Sequence, residues 1–332
     1  MTKSKSSFWL TGALCFGSIV GAGFASGKEI EFYFAQFGIS IFPIIILVGV
    51  LFCIILKFFL NFGYKNRIVS FSQMNKLIWG KYEKIGNIFF IISNLLLLSA
   101  MLSGSDAIGN LIIKQDYRFF SVITAILAIV ISLLKFKKLV KINAIVVPLL
   151  LILIIFDLCF SLNIGKIPTN SPKISVVFSP IFALFYLTSN LYLASFVFAK
   201  IGSSTPLENH SKASIVCATL FTIFACMISL ILFLNPSEVS PMPLISILGN
   251  ISPKFMWFGA LVVWLGIFST IVNILFTLSN EFKNKSYKTF FLILISALGL
   301  ILSGLGFSFI VNYFYPLIGI MGLITICKMI KK

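Results

Sequence analysis

The stretch that decides the fold is GSIVGAGFASGKEIEFYF, residues 17–34. It lies inside the first long apolar segment, where a continuous membrane-spanning helix is the ordinary expectation. Yet it holds four glycines and, near its end, the charged residues Lys28, Glu29 and Glu31. Glycine makes it easy to leave the helical conformation, and a carboxylate in lipid needs a partner or a wet cavity. The stretch therefore predicts a helix broken at membrane depth beside a polar site.

The composition places the whole chain in a lipid bilayer. Its 332 residues are 59% hydrophobic and only 11% charged, which is more apolar than a soluble core requires. We predict an all-α integral membrane protein with one transmembrane domain over residues 1–332 and about ten transmembrane helices. The predicted spans 1 to 10 cover residues 8–37, 39–60, 85–112, 119–134, 142–163, 176–199, 212–235, 255–280, 288–303 and 305–327.

The basic residues predict the orientation of these spans. A net charge of +17 would suggest nucleic acid in a soluble protein, but here the basic residues fall between apolar runs and act as topology signals. We therefore expect no nucleic-acid partner. With ten spans and a cytosolic N-terminus, the outer side holds only six of the 26 basic residues: Lys28, Lys114, Arg118, Lys166, Lys173 and Lys254. This asymmetry predicts a multi-pass protein of the cytoplasmic (inner or plasma) membrane with both termini in the cytosol.

The two halves of the chain match each other in layout. Polar interruptions centre near residue 23 in span 1 and near residue 189 in span 6, and spans 3 and 8 are both unusually long. Short amphipathic stretches follow spans 2 and 7, at residues 69–79 and 243–251. Because each half has five spans, the second half must enter the membrane from the opposite side. The layout predicts an inverted repeat of residues 8–163 and 176–327.

A break in span 1 has chemical consequences. Residues 8–37 would be about 45 Å long as one helix, against a hydrocarbon core of roughly 30 Å. Unwinding frees carbonyls near residues 19–21 for a cation and amides near residues 24–26 for an anion, which suits a zwitterion with a sodium ion or a proton on Glu29. The alternative is that the glycines only let helices pack closely and that Lys28 is the partner of Glu29, which would make Glu29 structural.

The motif Gly21–Glu29, GAGFASGKE, resembles the signature GAGFASGQE of the YkvI family of predicted amino-acid permeases. YLTSN at residues 186–190 and SAMLSG at residues 99–104 are also similar to that family, and the length and number of spans fit it. Lys28 departs from the family glutamine and adds a cation beside Glu29. The resemblance implies the LeuT-type fold of the amino acid–polyamine–cation superfamily, a five-plus-five inverted repeat with broken helices 1 and 6.

The resemblance implies that the substrate lies between spans 1 and 6. The predicted substrate-binding residues are Gly21, Ala22, Gly23, Phe24, Ala25, Ser26, Gly27, Tyr186, Ser189 and Asn190. In span 6, the alternative is that serine and threonine bond back to their own helix, whereas the amide of Asn190 favours a site. Ser269 and Thr270 in span 8 resemble the sodium ligands of LeuT-type symporters. For them, ordinary helix hydroxyls are the alternative.

A few polar residues elsewhere carry weaker signals. Asp106, in the outer part of span 3, is a candidate proton carrier or gate residue, with interfacial solvation as the alternative. His210 is predicted to be exposed in a cytosolic loop, and the six cysteines read as free thiols. Because the chain has no nucleophile elbow, metal-ligand cluster or phosphate loop, we predict that it is not an enzyme and takes no cofactor beyond a coupling Na⁺ or H⁺.

These patterns together predict a secondary active transporter. It would take up an amino acid or a similar small zwitterion together with H⁺ or Na⁺ by alternating access. The fold resemblance implies that spans 1, 2, 6 and 7 rock as a bundle against the remaining spans. The alternatives are a non-transporting membrane binding or signalling protein with the LeuT-type fold, and a passive channel. The sequence specifies neither the coupling ion nor an oligomeric state.

Overall fold

A computed structural model of the chain describes residues 7–113, 118–133, 136–164, 175–236, 240–282 and 284–331. Every regular element in these residues is a helix, as predicted. Seven helical segments among them are long and apolar enough to cross a bilayer, and three shorter apolar helices are Phe8–Gly17, Phe119–Ser132 and Val147–Asn163. The described residues thus confirm an all-helical membrane protein with about ten spans.

The first half of the chain contains spans 1 to 5. Span 1 is divided into the helices Phe8–Gly17, Ala22–Ala25 and Lys28–Tyr33, and a 3₁₀ helix at Ala35–Ile41 leads into span 2. The next helices in order are span 2 at Phe42–Asn66, an amphipathic helix at Phe71–Trp79, span 3 at Glu83–Ile113, span 4 at Phe119–Ser132 and span 5 at Phe136–Ile164. Span 2 runs six residues past its predicted end, because the helix continues through its polar last residues to Asn66.

The second half contains spans 6 to 10. Span 6 consists of the helices Ser179–Leu193 and Ser195–Ser204, and span 10 begins with a short helix and a π-helical turn at Ile310–Phe314. The other helices are span 7 at Glu208–Leu234, an amphipathic helix at Pro243–Ile251, span 8 at Pro253–Ser279, span 9 at Lys285–Ser303 and the main part of span 10 at Tyr315–Ile330. That the two halves are inverted repeats stays a prediction.

Both predicted amphipathic helices are present. The first one begins at Ser70, whose hydroxyl accepts a hydrogen bond from Gln73 N, so that a capped N-terminus fixes its start. The second one begins with Pro243, and the amide of Leu244 donates to the carbonyl of Ser26 at 3.0 Å. The helix Pro243–Ile251 is therefore attached directly to the interrupted part of span 1.

The spans form two packed groups. Span 2 packs against spans 6 and 7, and the helix Phe8–Gly17 of span 1 packs against span 7. Span 8 packs against spans 3 and 5, span 9 packs against span 3, and span 10 runs along span 6. The single turn Ala22–Ala25 contacts spans 3 and 8, so the interruption of span 1 faces from the first group toward the second.

The prediction that His210 is exposed in a cytosolic loop is wrong. Span 7 begins at Glu208 rather than at residue 212, which puts His210 inside the helix and fully buried. Its ring nitrogens lie 2.9 Å from Asn61 Oδ1 and 3.0 Å from Thr205 Oγ1, so it joins span 7 to span 2 and to the end of span 6.

The predicted orientation of the termini rests partly on side chains that the structure does not describe. The basic residues whose side chains the structure does not describe are Lys3, Lys5, Lys114, Lys135, Lys137, Lys138, Lys141, Lys166, Lys173, Lys283, Lys285 and Lys332. The cytosolic position of the termini therefore stays a prediction.

Candidate functional site

Span 1 leaves the helical conformation where the glycines predict it. The helix Phe8–Gly17 ends in a turn in which Gly21 N donates to Ile19 O at 2.8 Å, and Ala25 N then donates to Gly21 O at 2.9 Å. After Ser26 the chain turns again at Gly27, whose φ of 82° lies in the left-handed region that side chains disfavour. The expectation of a helix broken at membrane depth is confirmed.

The second turn aims Glu29 back at the first one. A side chain on Gly23 would occupy the space of the Glu29 carboxyl group, so the missing side chain makes room for this carboxylate. Glu29 is only 3% exposed, and its Oε2 atom has no hydrogen-bond partner among the described residues. A buried carboxylate without partners is costly, which marks Glu29 as a group that awaits a ligand or a proton.

Lys28 does not neutralise Glu29. Its Nζ atom lies 2.8 Å from Glu31 Oε2, and this ion pair is partly exposed on the outside of the short helix Lys28–Tyr33. The alternative in which Lys28 pairs with Glu29 is therefore wrong. The residue that replaces the family glutamine turns away from the site and leaves the charge of Glu29 uncompensated by Lys28.

Beside Glu29 lies a small cavity that is partly open to solvent. Five spans contribute to its wall: spans 1, 3, 6, 8 and 10. Both apolar and polar side chains line it. The lining residues are Ser18, Ile19, Gly21, Glu29, Leu97, Met101, Asn190, Leu193, Thr270 and Tyr315.

Four of the predicted site residues line this cavity: Gly21, Glu29, Asn190 and Thr270. Thr270 of span 8 faces Gly21 of the broken helix, since a side-chain carbon added at Gly21 would lie 3.4 Å from Thr270 Oγ1. Each of the three spans for which the sequence predicts binding or coupling residues, spans 1, 6 and 8, thus contributes at least one predicted residue to the cavity.

The other predicted residues of span 1 shape the broken segment without lining the cavity. The Ser26 hydroxyl donates to Gly23 O and accepts from Lys28 N, so it stabilises the second turn. Phe24 is buried against Phe16, Phe221 and Phe224 in an aromatic cluster toward span 7. Ala25 is fully buried, and the side chain of Ala22 lies outside the described part of the structure.

Span 6 is divided in the structure, but its interruption does not coincide with the polar residues near residue 189. Residues 186–190 lie within the helix Ser179–Leu193, and the interruption falls at Ala194, which keeps right-handed helical angles. Hydrogen bonds of the α-helical pattern cross it, from Ala194 N to Asn190 O at 3.1 Å and from Phe198 N to Ala194 O at 3.0 Å. The interruption of span 6 is therefore minor, and its α-helical hydrogen bonds continue across it.

The polar side chains of span 6 bond mainly to their own helix. The Ser189 hydroxyl and the Asn190 amide both donate to Tyr186 O, at 3.0 Å each. Tyr186 is buried against Tyr33 and Phe34 of the segment that follows the break in span 1. Only Asn190 of this group lines the cavity, and it is the residue of span 6 whose amide favoured a binding site in the sequence.

Ser269 and Thr270 both donate to the carbonyl of Gly266 in their own helix, at 2.9 Å and 3.0 Å. Ser269 is buried away from the cavity lining, whereas Thr270 belongs to it. Asp106 accepts a hydrogen bond of 2.7 Å from Ser121 N at the start of span 4, so the structure gives it a partner that joins spans 3 and 4.

Sequence reasoning missed Tyr315, whose ring is fully buried and whose hydroxyl lies beside Glu29. The signal that was present is the run NYFYP at residues 312–316, which interrupts an apolar span with polar and aromatic residues and a proline. In the structure a π-helical turn at Ile310–Phe314 immediately precedes Tyr315, and such turns often occur at functional sites.

Comparison with known proteins agrees with this geometry. No family model matches the chain. The uncharacterised membrane protein YkvI of Bacillus subtilis (strain 168) is 25% identical, and the alignment covers 100% of this chain and 98% of that protein. The resemblance found in the motif at residues 21–29 thus extends over the full length.

Solved structures resemble the fold. MhsT in complex with L-phenylalanine has a TM-score of 0.72 at 18% identity, over 98% of this chain and 89% of that one. Mhp1, a nucleobase-cation-symport-1 family transporter with bromovinylhydantoin bound, has a TM-score of 0.64 at 14% identity, over 95% and 75%. A manganese transporter of Eremococcus coleocola has a TM-score of 0.57 at 15% identity, over 95% and 69%. All three are LeuT-fold transporters rather than enzymes, which confirms the predicted fold.

Proposed function

We propose that the protein is a secondary active transporter of the cytoplasmic membrane that takes up an amino acid or a similar small zwitterion by alternating access. The observation that carries the proposal is the cavity at the break of span 1, where Glu29 is buried between walls from five spans and its Oε2 atom has no hydrogen-bond partner among the described residues. Irregular backbone at membrane depth is tolerated where it lines such a cavity, and secondary transporters place their substrates there.

Small-molecule cargo is supported by the solved structures of similar fold. The MhsT structure holds L-phenylalanine and the Mhp1 structure holds a hydantoin. The cavity in this chain is lined by both aliphatic side chains, such as Leu97 and Leu193, and polar side chains, such as Asn190 and Thr270. In the proposal, Gly21, Glu29, Asn190 and Thr270 are the residues at which the substrate binds.

A cation gradient would drive the cycle. Two places in the site suit a coupling ion: the Glu29 carboxylate for a proton, and the region of Thr270 and Ser269 beside Gly21 for a sodium ion, which prefers hard oxygen ligands. The group formed by spans 1, 2, 6 and 7 would move relative to spans 3, 5 and 8, so that the cavity opens to one side at a time.

The test is uptake into proteoliposomes that contain the purified full-length protein. Labelled amino acids are offered with an imposed gradient of either Na⁺ or H⁺, and we expect one of the two gradients to drive accumulation above the equilibrium level. Glu29→Gln should abolish accumulation, whereas the matched variant Glu31→Gln, which removes a carboxylate two residues away, should retain it. Substrate binding without accumulation under either gradient would favour the alternative of a binding or signalling protein.

A further inference from the structure

The wall of the cavity offers hydrogen-bond acceptors and few donors. The Ser18 hydroxyl donates its hydrogen to Leu14 O at 2.9 Å, and the Thr270 hydroxyl donates to Gly266 O at 3.0 Å. One amide hydrogen of Asn190 is used in the same way on Tyr186 O. Since a hydroxyl has a single hydrogen, the oxygens of Ser18 and Thr270 present only lone pairs to the cavity.

The ionisable residues of the cavity wall also favour a ligand that donates hydrogen bonds. Among the described residues that line the cavity, Glu29 is the only charged one, and no lysine, arginine or histidine is present to receive a carboxylate. The nearest cation along the chain, Lys28, is paired with Glu31 outside the cavity. A solute that enters therefore meets one carboxyl group and no basic side chain among the described lining residues.

Two groups in this wall are buried and lack hydrogen-bond partners within the described part of the chain: Glu29 Oε2 and Tyr315 Oη. The tyrosine hydroxyl lies close enough to the Glu29 carboxyl to interact with it, and both side chains line the cavity. An ammonium group has three hydrogens to donate and accepts nothing, which matches a carboxylate flanked by hydroxyl oxygens.

The apolar side chains of the wall favour an organic cation over a bare metal ion as the ligand. Ile19, Leu97, Met101 and Leu193 line the cavity beside the acceptor groups. A sodium ion would use the oxygens and leave these side chains without contacts, whereas a compact aliphatic body would cover them.

We infer that the Glu29 carboxylate, together with the Tyr315 hydroxyl, binds the ammonium group of the transported solute, and that the site recognises a small aliphatic amine whether or not it carries a carboxylate. This inference rests on the proposed transport site and makes its chemistry specific. It also assigns Glu29 to the solute rather than to a coupling proton, because a proton on the carboxylate would remove the negative charge that the ammonium group pairs with.

The test uses three ligands that share one aliphatic body. L-Leucine carries both charged groups, isoamylamine is leucine without its carboxylate, and 4-methylpentanoate is leucine without its amine. Binding to the purified full-length protein is measured by calorimetry and by the rise in melting temperature. We expect L-leucine and isoamylamine to bind, and 4-methylpentanoate to bind at least about tenfold more weakly. It lacks the ammonium group that would form a charge-assisted hydrogen bond, and it brings a like charge to Glu29.

Two variants locate the effect on one carboxylate. Glu29→Gln should weaken both amines by about tenfold or more, and Glu31→Gln should leave them within about threefold of the wild-type protein, because Glu31 faces away from the cavity. Should Glu29→Gln fail to fold, the three ligands on the wild-type protein still decide the question. Equal binding of 4-methylpentanoate, no binding of either amine, or undiminished amine binding by folded Glu29→Gln would each overturn the inference.

Uptake in proteoliposomes separates this inference from the proposed function. Accumulation of 4-methylpentanoate but of neither amine would support transport and refute the ammonium site. Binding of the amines at Glu29 without accumulation under any imposed gradient would support the ammonium site and refute transport.

Discussion

Spans 1 and 6 contribute to the same cavity, yet their backbones behave differently. Span 1 is split twice within ten residues, at residues 18–21 and again at Ser26 and Gly27. Span 6 carries a denser set of polar side chains and keeps α-helical hydrogen bonds across its one interruption at Ala194. Span 1 offers backbone and a buried carboxylate to the site, whereas span 6 offers one amide side chain on a regular scaffold.

The difference follows from which residue types each span uses. In span 1, Gly23 clears space for a neighbouring side chain and Gly27 takes a left-handed turn. In span 6, Thr188, Ser189 and Asn190 direct their donors to carbonyls of the preceding turn, which leaves the helix in place. Polar residues in a membrane helix therefore do not by themselves indicate a break, while glycines beside a buried charge do.

The largest effect in this comparison is expected for Gly23→Ala. The added carbon would collide with the Glu29 carboxyl group, and overpacking of this kind costs about 1–3 kcal/mol. We expect a lower apparent melting temperature and a loss of amine binding of about tenfold or more, because Glu29 must leave its place. Thermal unfolding and calorimetry on the same purified variant measure both effects.

The double variant Gly23→Ala with Glu29→Ala tests that this clash is the cause. Removing the carboxyl group should restore the melting temperature toward that of Glu29→Ala alone, without restoring binding, which is a non-additive result of a direct contact. Additive losses of stability in the double variant would show that Gly23 acts through something other than Glu29.

A smaller effect is expected for Gly27→Ala. The φ of 82° at this residue costs an alanine about 1–2 kcal/mol, and the new carbon would also come within 3.0 Å of Leu244. Gly21→Ala is the matched control, because that position has an ordinary backbone angle and its nearest neighbour would lie 3.4 Å away. We expect Gly27→Ala to melt at a lower temperature than Gly21→Ala. The reverse order in a thermal unfolding experiment would mean that the second turn of span 1 is not held by its glycine.

Much of the fold was predictable because lipid restricts what a sequence can do. Ten apolar segments and their two amphipathic connections follow from hydropathy, and the break in span 1 follows from its glycines. The helical course of span 6 was harder to predict, because the same threonine, serine and asparagine serve equally as site ligands or as bonds to their own helix. Only the positions of the neighbouring carbonyls decide between the two.

Only part of the candidate site was predictable, because some of its residues show a local signal in the sequence and others join the site only through tertiary packing. Gly21, Glu29, Asn190 and Thr270 carried signals that the sequence shows locally. Tyr315 became part of the site through the packing of span 10 along span 6, and the distance of about 290 residues from Glu29 gives no local hint of it. The pairing of Lys28 with Glu31 depends on which face of a six-residue helix looks inward, and the turn at Gly27 sets that face.

The smallest effect, and the one that most sharpens the comparison, is expected for Ser189→Ala. The Ser189 hydroxyl donates to Tyr186 O in its own helix, and alanine is the better helix former, so we expect a change in stability within about 0.5 kcal/mol and amine binding within about threefold of wild type. Thr188→Val serves as the contrast, since the Thr188 hydroxyl also lies 2.8 Å from Gly319 O of span 10 and its loss should cost about 1 kcal/mol. Thermal unfolding and calorimetry of both variants check this. A strong loss of binding in Ser189→Ala, with stability unchanged, would mean that span 6 unwinds around residue 189 when the substrate binds, and the two spans would then work by the same means after all.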